Sequence, residues 1–344
     1  MQDESPRVSR VVGGLHRLAF VFVVAMIAAV ASERMFWFWS PGLAEHLAVS
    51  AFYALAAGVL LWAVARHRVD SWWSLMLALP LFSLVVEGVI TPVVYSGGPL
   101  VPVFPAWFAF WHGVLAAGLL VFGVRWMLVT DRRRLVTLTS VGLGGFWAVW
   151  SSTLWLPENL EDPELIEAEG GPLHVLDPGE FTLYAALFTG VVIVGHMILT
   201  RIWPTSFEPS ATTVRVVGVL VFAWAAMWTV AVPWALPMFV AYWWLQRWGL
   251  RRHERVATEP TLLARLAGPV APLAYLSLAP MAVVAAGTYA ALWELDPSPD
   301  GLRTIMWSTI AIQGMAGFGL MVASLRRAGR VENDQTLEPV GPRV

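Results

Sequence analysis

The sequence predicts an all-α protein, a polytopic membrane bundle of about ten transmembrane helices with both termini cytoplasmic. Three observations carry this prediction. Hydrophobic residues make up 58% of the 344 positions and charged residues only 13%, against about a quarter charged in a soluble domain. The apolar runs repeatedly reach the roughly 20 residues needed to span hydrocarbon, and the 20 tryptophans gather near their ends, as interfacial aromatic belts do. All 22 basic residues are arginine, and with the N-terminus inside only Arg34 and Arg303 fall on the outer face.

The spans follow in order. Residues 14–32 come after the polar start MQDESPRVSR; the run leads directly into further spans, so a cleaved signal peptide is not expected. Residues 44–65 enter at Glu45 and His46 and close at Arg66. Residues 72–95 contain Pro80 and Pro92, which bend or break the helix. Residues 105–129 follow the stiff connection GGPLVPVFP, with Pro105 in the first turn, where proline is tolerated. Residues 135–156 follow DRRR and carry Ser140, Gly142, Gly144 and Gly145, small residues that let membrane helices approach closely. Residues 181–200 carry His196. Residues 213–230 and 234–250 are separated only by VPWALP and are the pair that could also form one kinked, re-entrant element. Residues 269–292 contain Pro272 and Pro280. Residues 304–325 contain Gln313 and end before Arg326 and Arg327.

Arginine placement argues for an even number of crossings, because nine would put Arg326, Arg327 and Arg330 outside. The clusters DRRR (131–134) and RRHER (251–255) set this topology and touch anionic headgroups. A single membrane domain, 1–328, is expected, with a polar, disordered tail at 329–344. Its one sizeable outer loop, 157–180, holds Glu158, Glu161, Asp162, Glu164, Glu167, Glu169, Asp177, Glu180 and His174. Such a loop keeps the outer face solvated, or collects cations or a basic partner protein. Ten helices would suit an inverted five-plus-five repeat, although no residue-level match between halves is present.

Several chemistries are excluded. Without cysteine there is no thiol nucleophile, disulfide, thiolate metal site or covalent haem. Without lysine there is no Schiff base to retinal or pyridoxal phosphate. No aspartate lies inside an apolar run, and HExxH, GxSxG and phosphate-loop motifs are absent. Nucleic-acid binding has no basic domain to carry it.

The remaining anomaly is Glu87 in PLFSLVVEGVITPVVYSG (80–97). It lies roughly 12 Å below the outer surface at 1.5 Å per residue, where an unpaired charge costs at least about 2.5 kcal/mol. Ser83, Glu87, Thr91 and Tyr95 recur every four residues, so they share one side of the helix. Pro92 lacks an N–H, which frees the carbonyl of Gly88 beside the carboxyl group. His112 lies at a similar depth on the next helix, so Glu87 and His112 are the expected catalytic or coupling pair. Ser83, Thr91, Tyr95 and Trp150 are the expected substrate contacts. His46, Glu87 and His112 form a candidate ligand set for a transition metal. His196 sits about half a membrane below His112, which makes a haem between the two geometrically poor.

Two functions compete on this reading. One is a proton- or cation-coupled transporter of a small or lipophilic solute in the plasma membrane, with Glu87 as its single buried acid. The other is a membrane-embedded enzyme, or the membrane subunit of a redox or metal enzyme, acting on a quinone, isoprenoid or lipid at the same site. Partner subunits are compatible with either.

Overall fold

The computed structural model of the chain describes residues 6–36, 42–91, 95, 109–156, 160–161 and 175–337. Among these no strand occurs. Ten long helices follow one another among the described residues, here α1 to α10. α1 is Pro6–Ala29 with a π-helical extension Val30–Arg34, and α2 is Leu43–Arg66. α3 is Trp72–Val85, continued by the π turn Val86–Ile90. α4 combines the π-helix Ala109–Gly123 with Val124–Val129. α5 is Arg133–Ser152, α6 Pro178–Ile202, α7 Ala211–Met227, α8 Ala235–Val256, α9 Pro280–Leu295 and α10 Pro299–Leu337.

Local sequence explains where the helices start and stop. Asp177 caps α6: its carboxylate accepts from the amides of Gly179 (2.7 Å) and Glu180 (2.9 Å), and Glu180 reaches back to the Asp177 amide. Each orphan donor of the first turn is thereby satisfied. Ser71 and Ser74 form the same reciprocal cap on α3. α2 and α4 end with Arg68 and Asp131 at φ of 50° and 52°. The next amides, of Val69 and Arg132, bond back to Val64 (2.9 Å) and Met127 (2.8 Å), the six-to-one closure of a left-handed C-terminal turn.

Nine helices among the described residues are long and apolar enough to cross a membrane. α8 is not among them, because its last turns carry Arg247, Arg251, Arg252, Glu254 and Arg255. Its contacts nevertheless show that it runs the full depth of the bundle. At one end Trp228 and Trp234, flanking its start, donate to the carbonyls of Val89 (2.8 Å) and Tyr95 (3.2 Å), beside the end of α3. At the other, Glu254 meets Arg66 and His67, at the turn that leads into α3. α8 therefore spans the same thickness as α3, and VPWALP is a tight hairpin, not a kink within one element. The helix ends group into two bands. His16 against Ile202, Arg125 against Leu266 and Gly268, and Arg327 over Trp73 mark the arginine-rich end. Tyr184 against Arg34 and Tyr289 against Leu176 mark the other. In this arrangement α1 begins and α10 ends at the arginine-rich end.

The core sits around α3 and α4, whose spans are 78% and 72% buried, whereas the α7 span is 11% buried. α3 lies between α2, α4, α8 and α10; α5 packs on α9, and α1 on α2 and α6. The peripheral helices turn leucine, valine and methionine outward, among them Val219, Leu220, Leu276 and Met315. A contiguous apolar exterior of this kind needs lipid around it.

Several expectations change. The first span does not stop at residue 32; its π extension draws Arg34, expected outside, into the protein, where it is 4% exposed. Pro272 opens a 3-10 stretch, Pro272–Leu278, and Pro280 starts α9, so both prolines sit at helix beginnings. α10 continues to Leu337, so the expected disorder from 329 gives way to helix over 329–337. Pro92, Pro105, the GGPLVPVFP connection, Glu158, Asp162, Glu164, Glu167, Glu169, His174 and residues 338–344 lie outside the described residues.

Candidate functional site

The described residues contain three π-helical segments, Val30–Arg34, Val86–Ile90 and Ala109–Gly123. All three converge at the end of the bundle opposite the arginine-rich one, and each supplies polar side chains there. In a π turn the amide bonds five residues back, which shifts the side chains that follow relative to an α-helix. Met35 bonds to Val30 (3.0 Å) and Thr91 to Val86 (2.9 Å) in this manner. The first turn carries Ser32, Glu33 and Arg34, the second Glu87, and the third Trp111 and His112.

α3 and α4 cross closely because Gly113 has no side chain. A Cβ there would lie 2.9 Å from Ser83 Oγ and 3.0 Å from the carbonyl oxygen of Leu79. That approach seats the neighbouring His112 against Glu87, and its Nε2 pairs with Glu87 Oε1. Both are buried, at 7% exposure for Glu87 and 3% for His112. Thr91 donates to the other carboxylate oxygen at 3.2 Å. On the far side of the ring, Nδ1 bonds to Ser32 Oγ, with the Tyr53 hydroxyl 3.5 Å away. Tyr53 in turn donates to Glu33 Oε1. The result is a buried polar series: Glu87 on one nitrogen of His112, Ser32 and the Tyr53 hydroxyl at the other, and Glu33 on Tyr53.

A second polar group adjoins it. Arg34 lies 3.6 Å from Glu45 and points its Nε–H at His46 Nδ1, 3.5 Å away. The other imidazole nitrogen of His46 bonds to the carbonyl of Met26 at 3.2 Å. On the side of Trp111, whose indole N–H donates to the Ser32 carbonyl at 3.2 Å, an aromatic wall is built. It consists of Trp111, Phe36 and Trp150, with Trp150 centred 5.3 Å from Trp111 and 5.1 Å from Phe36.

Of the residues expected from sequence, the structure brings together Glu87, His112 and Thr91. Tyr95 donates to the Gly88 carbonyl at 2.8 Å, in the π turn that closes α3. Ser83 is buried at the α3–α4 crossing and its hydroxyl has no hydrogen-bond partner. Trp150 is one aromatic ring removed from His112. His46 does not join the pair: Arg34 and Met26 occupy its two nitrogens, and no group of three or more acidic or histidine side chains among the described residues is placed to hold a metal. The three-ligand set His46, Glu87 and His112 is therefore not assembled. His196 is buried on α6 and bonds to the Leu120 carbonyl at 3.0 Å, an interhelical hydrogen bond.

Sequence reasoning missed Glu33, Ser32 and Tyr53, and so treated Glu87 as a lone acid. Signals for both larger residues exist. The run Met35–Phe36–Trp37–Phe38–Trp39 after Glu33 and Arg34 extends the apolar segment beyond them. His46, Ser50 and Tyr53 recur at i, i+4 and i+7, one face of α2. No protein-family model, no curated protein and no solved structure matches this chain.

Proposed function

We propose that this protein is a proton-coupled membrane transporter of the plasma membrane, with its arginine-rich end in the cytoplasm and its proton site in the outer half. The observation that supports this reading is the buried series Glu87–His112–Tyr53–Glu33, with Ser32 on the same imidazole nitrogen that Tyr53 faces at 3.5 Å. A charged imidazole donates from both nitrogens, to Glu87 and to Ser32. A neutral one returns a proton to one carboxylate and leaves the other ionised. Each member passes hydrogen bonds in either direction, so a proton can move between the two acids without crossing apolar space. Binding at a desolvated site of this kind couples strongly to the position of the surrounding helices, because one uncompensated charge there costs several kcal/mol.

The aromatic wall beside His112 favours a second reading, an acid–base enzyme acting on an apolar substrate such as a quinone or isoprenoid. The two differ in a measurement that needs no solute. Proteoliposomes loaded with a pH dye report proton entry under an imposed pH gradient. Transport coupling predicts wild-type proton flux that Glu87→Gln and Glu33→Gln each lower at least about tenfold, the equivalent of 1.4 kcal/mol on the barrier. Undiminished flux in both variants rejects the transport reading.

A further inference from the structure

At the arginine-rich end the α2–α3 turn and the last turn of α8 exchange a histidine and a carboxylate in both directions. His67 Nδ1 lies 2.8 Å from Glu254 Oε2, and His253 Nε2 lies 3.3 Å from Asp70 Oδ1. Each element thus contributes one imidazole and one acid. Asp70 is also fastened to α3, since Ser74 donates to its carboxylate at 3.3 Å, and Arg265 donates to its carbonyl at 2.7 Å. Arg66 ion-pairs with Glu254. The apolar part of α8 ends near Leu250, so Glu254 lies beyond it, at the rim.

The His67 side chain is only 3% exposed, and its Nε2 is buried with no hydrogen-bond partner. A neutral ring that donates Nδ1–H to Glu254 fits this environment. A second proton, on Nε2, would put an N–H of a cation where no acceptor faces it. The ring then has to reach water, and the contact with Glu254 is what stands in the way.

We infer that this junction is a proton-binding latch: a proton taken up by His67 parts the α2–α3 turn from the end of α8 and loosens the arginine-rich mouth of the bundle. The inference rests on the geometry of this end and is independent of the transport reading. The charged groups facing His67 are Arg66 on α2 and Arg247 and Glu254 on α8. Burial pushes His67 below its ordinary value, Arg66 and Arg247 add to this, and Glu254 opposes it. Burial alone would raise Glu254, but its bonds from His67 and Arg66 outweigh that and hold it below the ordinary carboxylate range. In the parted state His67 returns towards 6.5. That state then binds more protons, so the latch is fully closed above pH 6.5 and weakens as pH falls below it. Glu254 adds a further loss only below its ordinary 4.5.

Hydrogen exchange of the full-length protein in lipid nanodiscs tests this, with rates corrected for the intrinsic pH dependence. Protection of residues 66–72 and 250–256 is expected to fall together, at least about tenfold, between about pH 8 and pH 5. His67→Gln keeps a donor for Glu254 but cannot titrate, so its protection should not change with pH. Wild-type protection that ignores pH, or a wild-type pH profile in His67→Gln, overturns the latch. Should that variant fail to fold, ring-carbon NMR of histidine-labelled wild-type protein gives the same decision. A histidine titrating below pH 6.5 in step with the exchange supports the latch; exchange that changes with no such titration overturns it.

Discussion

Replacing Gly113 by alanine adds one methyl group at the point where α4 presses hardest on α3. That methyl would sit 2.9 Å from Ser83 Oγ and 3.0 Å from the Leu79 carbonyl oxygen, where ordinary contact begins at 3.4 Å. The hydroxyl can rotate away, but the carbonyl belongs to the helix backbone and cannot. The two helices must therefore separate by several tenths of an ångström. Overpacking of this kind costs about 1–3 kcal/mol, partly offset by the better helix propensity of alanine, roughly 1 kcal/mol. Because His112 is the adjacent residue, the displacement also lifts its imidazole from Glu87. Gly142→Ala is the matched control, since a Cβ at Gly142 meets nothing within 4 Å and alanine gains only the propensity term. Thermal unfolding in detergent should place Gly113→Ala below wild type and Gly142→Ala at or above it, and the proton-flux assay should be impaired only in the first. Equal unfolding temperatures and equal flux for the two variants would refute the claim that close helix approach builds the site.

Two further outcomes follow from the same contacts. Arg125→Met should destabilise the protein by about 1–3 kcal/mol, seen as a lowered unfolding temperature, because the buried Leu266 carbonyl and the part-buried Gly268 carbonyl lose the guanidinium donors that reach them at 3.1 and 2.7 Å. Tyr53→Phe preserves the ring in the core but removes the hydroxyl that stands between His112 and Glu33; proton flux should fall at least about tenfold, while stability changes by no more than about 1–3 kcal/mol.

Part of the site was legible in sequence. Glu87 stands out in an apolar run, and depth counting along neighbouring helices places His112 opposite it, because rise per residue is constant and short loops make neighbours pack. The four-residue spacing likewise brings Thr91 to the Glu87 carboxylate. Glu33 and Arg34 were less visible, since they stand where a 3.6-residue period ends the first span. Only a π turn carries them inward, and the lost α-helical register leaves no periodic trace. His46 shows the opposite failure: its depth suits a ligand, but its direction is set by Arg34 and Met26.

What the sequence by itself determined is the membrane bundle and its polarity. Transfer of each side chain into hydrocarbon is a local cost, and the arginines that cannot cross stay on one side, so both properties are sums over residues. The crossing of α8 needed the tertiary structure, because its charged last turns hide a full-depth helix that only contacts at both ends reveal. The buried polar series around His112 needed it as well. Which polar groups meet depends on how closely two helix backbones approach and how far a π turn rotates a side chain, and neither quantity is carried by any single residue.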